Sequence, residues 1–353
     1  MNKKNITDIK ISKKKKTFPI SEDFENYLHK YNRTYKMPLE YEDLERTEEL
    51  YPIVDDSGND TLWCTALYSQ FDMEEIHKGL IEIYLVLKSD GNLEAEHHLN
   101  VDSVDCCVFG NSKPFRIKIR NVLNDNHDYF YIKKADASRV YGLELEHLLS
   151  PNYIVFLVYK DTLVEDHISG IPGDMYLDKY NDPNQDLIRL SKEFVKFNER
   201  CFLRLLGDQR SYNFLVELTP DFDKMQYRIR SIDFDQQSYE GNIKMYQPQF
   251  FKENYPYVEM VESLLHRSSI EQYKIEERSL MAKRILVEQY RLIKLMDVMK
   301  KEPLSLQFKI DELKLALYEE VKDRDFKLCN TMGEILEVGL KFVLRNYKTG
   351  YYQ

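Results

Sequence analysis

Gly207-Asp208-Gln209-Arg210-Ser211-Tyr212-Asn213-Phe214-Leu215-Val216 is followed, after a turn, by Arg230-Ser231-Ile232-Asp233-Phe234-Asp235. The first run sets an Asp, and five residues on an Asn, between a helix and a strand. Upstream, Leu187, Leu190, Phe194, Phe197 and Cys201 recur at three- and four-residue steps, the apolar stripe of a helix. Downstream, residues 214–218 and 227–234 read as a hairpin turned by Thr219-Pro220-Asp221. The second run sets Asp233 between Ile232 and Phe234 in what reads as an apolar strand. A carboxylate there is costly unless it pairs or holds a cation. Asp and Asn are ordinary turn residues, so the information lies in the ordered set of helix, Asp-x-x-x-x-Asn, hairpin and Ile-Asp-Phe-Asp.

Before this stretch the chain reads as strands. Residues 104–109, 114–122 and 129–133 are rich in β-branched and aromatic residues, with turn signals at Gly110-Asn111-Ser112 and Asn124-Asp125-Asn126. A helix over 137–149 follows, then strands over 153–159 and 162–168. Tyr129-Phe130-Tyr131-Ile132-Lys133-Lys134 ends in two lysines, and alternation turns only one of them inward. Lys133, directly after the apolar run, is the choice. Its carboxylate partner is expected on the next helix, as Glu144 or Glu146. Glu144 shares a helix face with Leu148.

The flanks are plainer. Residues 1–20, with Lys13 to Lys16, read as a disordered basic tail. Residues 21–95 read as a helical extension, its best helix over 73–88 carrying Ile76, Leu80, Ile83 and Leu87 and stopping at Asp90-Gly91-Asn92. A helix is expected to start after Asp182-Pro183. The C-terminal third reads as helices over 258–265, 275–299, 304–321 and 331–345. Thr331 and Glu334 open the last with capping-box spacing.

The chain has 353 residues and a net charge of −10, which disfavours a nucleic-acid partner. No apolar run approaches the roughly 20 residues that span a bilayer. Five scattered cysteines fit reduced thiols and a cytoplasmic location. Adjacent strand residues point to opposite faces, so neither His97-His98 nor Cys106-Cys107 chelates a metal easily.

Phosphoryl transfer needs an acid to orient the acceptor hydroxyl and two groups to hold Mg²⁺ on the phosphates. Asp208, Asn213 and Asp233 supply that set, and Arg210 adds a cation that could face the transferring phosphate. Together with Leu163-Val164-Glu165-Asp166-His167-Ile168-Ser169-Gly170, these motifs resemble an atypical member of the protein-kinase-like superfamily over residues 100–240. The connector is similar to the hinge of aminoglycoside phosphotransferases, and the Asp208 loop to those of HipA-type and phosphoinositide kinases. Position 210 is Arg where aminoglycoside and phosphoinositide kinases usually carry His. The Phe109-Gly110-Asn111-Ser112-Lys113 turn has one glycine, and no Ala-Pro-Glu follows Asp235.

The resemblance implies an α+β, two-lobed fold. It has a small antiparallel β lobe over 96–168 and a larger helical lobe over 169–353, with ATP in the cleft. It implies that Asp208 orients or deprotonates the acceptor and that Asn213 and Asp233 bind Mg²⁺, with Asp235 a candidate for a second ion. Lys133, positioned by Glu144 or Glu146, would hold the α- and β-phosphates. Gly110 and Ser112 would cover them, and Glu165, Asp166, His167 and Ile168 would meet adenine. The expected function is transfer of the γ-phosphate of MgATP to a hydroxyl of a protein or small molecule. A nucleotide-binding pseudokinase and a non-enzymatic helical interaction protein are the alternatives.

Overall fold

The computed structural model describes residues 15–89, 97–108, 112–179, 185–222 and 224–347. The chain is α+β, with a seven-stranded and a three-stranded antiparallel sheet and many helices. It divides into two compact units. One comprises Lys14–Asp136 with Ile154–His167, the other Ala137–Tyr153 with the chain from Ile168 onward.

The first unit contains α1 (Glu22–Lys30), α2 (Tyr41–Leu44), β1 (Glu49–Val54), β2 (Asp60–Leu67), α3 (Gln70–Ser89), β3 (Leu99–Cys107), β4 (Phe115–Asn121), β5 (Asn126–Lys134), β6 (Phe156–Tyr159) and β7 (Thr162–Asp166). The sheet order is β1-β2-β3-β4-β5-β7-β6. Alternation explains its faces. On β4, Phe115, Ile117 and Ile119 are buried, while Arg116, Lys118 and Arg120 take the opposite face. Phe130 and Ile132 of β5 join the buried face. The stripe Ile76, Leu80, Ile83 and Leu87 of α3 belongs to the same apolar core, and each such side chain contributes about 1.5–3 kcal/mol.

The N-terminal quarter differs from its helical reading. Residues 49–67 form the β1–β2 hairpin, which adds two strands to the sheet. Residues 15–20 also depart from the expected disordered tail. Phe18 is buried and its N–H donates to Asp136 Oδ1 at 2.7 Å, while Lys15 forms a buried ion pair with the same carboxylate. The rest of that tail, the Asp90-Gly91-Asn92 stop, Asp182-Pro183 and Gly110 lie outside the described residues.

The second unit contains α4 (Ala137–Leu149), β8 (Ile171–Pro172), α5 (Gly173–Lys179), α6 (Leu187–Arg204), β9 (Phe214–Asp221), β10 (Lys224–Ser231), α7 (Tyr255–Leu264), α8 (Arg267–Val287), α9 (Gln289–Met299), α10 (Gln307–Val321) and α11 (Met332–Asn346). Its sheet order is β10-β9-β8. Thr331 and Glu334 form the expected capping box of α11. The helix expected over 275–299 is two helices, broken at Glu288 with no Gly or Pro to mark the break. Among the described residues no helix is long and apolar enough to cross a membrane.

Candidate functional site

Helix α6 turns its apolar stripe inward at Leu190, Phe194, Phe197 and Cys201 and ends on Leu205 in the left-handed region, φ 55°. Asp208 follows at φ 56°, a conformation Asp tolerates better than most side chains. The local bonds explain why the chain holds it. The Asp208 N–H donates to Met245 O at 3.0 Å, and its carbonyl accepts from Arg210 N at 3.0 Å and from Asn213 Nδ2 at 2.7 Å. With its amide nitrogen donating there, Asn213 presents Oδ1 as an acceptor.

The Ile232-Asp233-Phe234-Asp235 segment is tied to this loop. Ile232 N donates to Asn213 O at 3.1 Å, and Gln209 Nε2 donates to Asp233 O at 2.8 Å. Asp233 is therefore not inside a strand, as its apolar neighbours suggest. β10 ends at Ser231; the Ile232 N–H makes one further bond in register with the ladder, to Asn213 O, and Asp233 lies beyond it. Asp235 N closes a turn on Asp233 Oδ1 at 2.9 Å. Helix α4 packs here as well. A Cβ on Gly142 would lie 2.9 Å from Phe234 Cβ, so glycine permits the close approach.

The second unit thus brings Asp208, Arg210, Asn213 and Asp233 together. Arg210 Nε lies 2.9 Å from Asp208 Oδ1, without hydrogen-bond alignment, and Nη1 reaches Tyr212 Oη at 3.1 Å and Glu253 Oε1 at 3.3 Å. Burial pushes the Asp208 carboxyl up to about 7. Arg210 opposes the rise, and the charges of Asp233 and Glu253 add to it. An acid poised near neutral pH is suited to proton transfer.

Asp235, a candidate second-metal ligand, is instead paired with the buried Arg139 of α4. The two helix acids also have partners of their own. Glu144 is fully buried against Arg291, 2.6 Å from Nη2. Glu146 pairs with the buried Arg204 and accepts from Ser150 Oγ at 2.5 Å and Asn152 Nδ2 at 2.7 Å. Desolvation pushes Glu146 up, but Arg204, Ser150 and Asn152 outweigh it and hold its carboxyl below the usual range.

In the first unit Lys133 is half-buried and Lys134 exposed, as alternation indicates. Lys133 Nζ lies 2.8 Å from Glu165 Oε2, on the neighbouring strand. The carboxylate expected from the following helix thus comes from β7. The residues expected to meet adenine are partly engaged. Asp166 N donates to Val155 O at 3.1 Å, and His167 N donates to Asp166 Oδ1 at 2.7 Å. Lys88 Nζ lies 2.6 Å from the same Oδ1. The His167 ring sits beside Tyr129 and Tyr131, and burial lowers its pKa. Ile168 and Ser112 are half-buried.

The oxygen donors Asp233 and Asn213 are of the hard kind that Mg²⁺ takes, with water and phosphate completing its shell. Among the described residues no group of three or more His, Cys, Asp and Glu is placed to hold a metal. Two residues escaped the sequence reading. Gln209 braces Asp233, and Asn254 Nδ2 donates to Gln209 O at 2.8 Å. Gln209 lies inside the quoted motif, whereas nothing local to Asn254 signals its role. A scan against protein-family models finds no match to this chain, and neither does a search of curated proteins.

Proposed function

We propose that this protein is an ATP-dependent phosphotransferase of the protein-kinase-like kind, acting on a hydroxyl acceptor. The observation that carries the reading is the braced quartet of Asp208, Arg210, Asn213 and Asp233. Asn213 donates to the Asp208 carbonyl at 2.7 Å, and Gln209 donates to the Asp233 carbonyl at 2.8 Å. Chain order supports it. Three strands (β3, β4, β5), a helix (α4) and two strands (β6, β7) precede α6, the Asp208 loop and the β9–β10 hairpin. Lys133 lies near the end of the third strand, where kinases carry their phosphate-binding lysine.

In this reading Asp208 accepts the proton of the acceptor hydroxyl, and Asn213 and Asp233 hold Mg²⁺. The ion would neutralise charge on the transferring phosphoryl group. Lys133, held by Glu165, binds phosphate. ATP turnover by the wild type, lost in Asp208→Ala and Asp233→Ala, is the expected result. Turnover unchanged in both variants defeats the proposal.

Nucleotide binding without transfer is the second reading, favoured by the Arg210 ion pair on Asp208. It predicts thermal stabilisation by MgATP with no transfer to an acceptor or to water.

A further inference from the structure

Cys64 of β2 and Cys106 of β3 stand directly opposite each other in the sheet. Facing residues of an antiparallel ladder project from the same side, with Cα atoms about 4.5–5.5 Å apart. A disulfide bridges Cα atoms about 4.4–6.8 Å apart. Cys107 is opposed to Trp63 and, one residue on, projects from the other side. Cys106 belongs to the apolar core together with Ala66, while Cys64 is half-buried. The register between β2 and β3 runs Trp63↔Cys107, Cys64↔Cys106, Thr65↔Asp105, so the cysteine pair is its centre. This short ladder joins the β1–β2 hairpin to the remaining strands.

We propose that Cys64 and Cys106 form a redox-responsive pair, whose oxidation to a cross-strand disulfide clasps the β1–β2 hairpin to the sheet. The oxidant is a small disulfide such as oxidised glutathione. The Cys64 thiolate attacks it, one glutathione thiolate leaves, and a mixed disulfide forms on Cys64. The Cys106 thiolate then attacks the Cys64 sulfur and expels the second glutathione. The protein loses two hydrogen atoms, and one glutathione disulfide becomes two thiols. Cys64 reacts first because it is the more accessible of the two. Burial pushes the Cys106 thiol up to about 11, so the closing step quickens with rising pH.

The test equilibrates the full chain in glutathione buffers of increasing oxidation, quenches with an alkylating agent and maps peptides by mass spectrometry. The expected product is one intramolecular link between Cys64 and Cys106, reversed by dithiothreitol. Cys107→Ser keeps it, and Cys64→Ser and Cys106→Ala lose it. Amide exchange over residues 49–67 slows on oxidation. Retention of all five thiols in the most oxidised buffer overturns the proposal. So does a mixed disulfide on Cys64 that never closes, or a link through Cys107, Cys201 or Cys329. The mapping is done on the wild type, so a variant that fails to fold does not decide the outcome.

Discussion

Arg210 stands between two carboxylates, its Nε 2.9 Å from Asp208 Oδ1 and its Nη1 3.3 Å from Glu253 Oε1. Arg210 and Glu253 act oppositely on Asp208. Burial lifts Asp208 to about 7, Arg210 restrains the rise and Glu253 adds to it. Arg210→Gln removes the restraint, so the Asp208 pKa moves up. Glu253→Gln removes a repelling charge and leaves Asp208 as the one carboxylate on Arg210, so it moves down. With Asp208 as the base, kcat/KM rises as its carboxyl ionises. The acidic limb of the pH–rate profile then lies near pH 7, shifts to higher pH in Arg210→Gln and to lower pH in Glu253→Gln. A limb that stays in place in both variants removes Asp208 from the proton step.

The same carboxyl imposes a stability penalty. Its folded-state pKa of about 7 lies above the ordinary 3.8. The protonated form therefore favours the fold. That contribution is complete below about pH 3.8 and is lost as pH rises through 7. Asp208→Asn cannot ionise and is expected to be more stable than the wild type at pH 8. The gain is on the order of 2 kcal/mol, kept below the full value of the shift because the side chain retains some solvent contact. It should vanish near pH 4. Urea unfolding without nucleotide or Mg²⁺ at both pH values measures it, and equal stabilities at pH 8 contradict the burial of the Asp208 charge.

These relationships were unevenly legible in the sequence. Strands β4 and β5 and helix α4 are readable because alternation and helical spacing act over a few residues, as in Phe115, Ile117 and Ile119. The quoted motif is readable because the Asn213 side chain bonds the Asp208 carbonyl five residues back, a local contact. The β1–β2 hairpin is not, since β1 is exposed along nearly its whole length and carries Pro52, so no alternating apolar pattern marks it. Nor are the partners of the buried acids. Arg204 lies 58 residues from Glu146 and Arg291 lies 147 residues from Glu144. Only tertiary packing makes those pairs, and no local spacing distinguishes an acid that faces a lysine from one that faces an arginine.

Glu146 tests that distinction by stability. Both Glu146 and Arg204 are 1% exposed. Glu146→Ala leaves the guanidinium buried without its carboxylate and is expected to cost about 3–5 kcal/mol. Glu146→Ala with Arg204→Met removes both charges and should recover most of that loss. Chemical denaturation of the three proteins measures the cycle. A double variant no more stable than the single one shows that the pair does not act as a unit.

Lys133 carries the last prediction. Its ammonium is held 2.8 Å from Glu165 Oε2 on the adjacent strand, whereas Lys134 is exposed at the strand end. A lysine anchored by a neighbouring carboxylate presents its charge with little loss of side-chain freedom, so nucleotide phosphate should depend on it and not on Lys134. A charge-assisted bond is worth about 1.5–3 kcal/mol, so Lys133→Met should weaken MgATP binding about tenfold or more. Lys134→Met should change it by less than about twofold, on the scale of an exposed charge. Glu165→Gln keeps the lysine but loosens its placement and should fall between them. Calorimetric titration of the four proteins with MgATP measures the order. Equal affinities for wild type and Lys133→Met would separate this lysine from the nucleotide and leave its pairing with Glu165 a feature of the sheet alone.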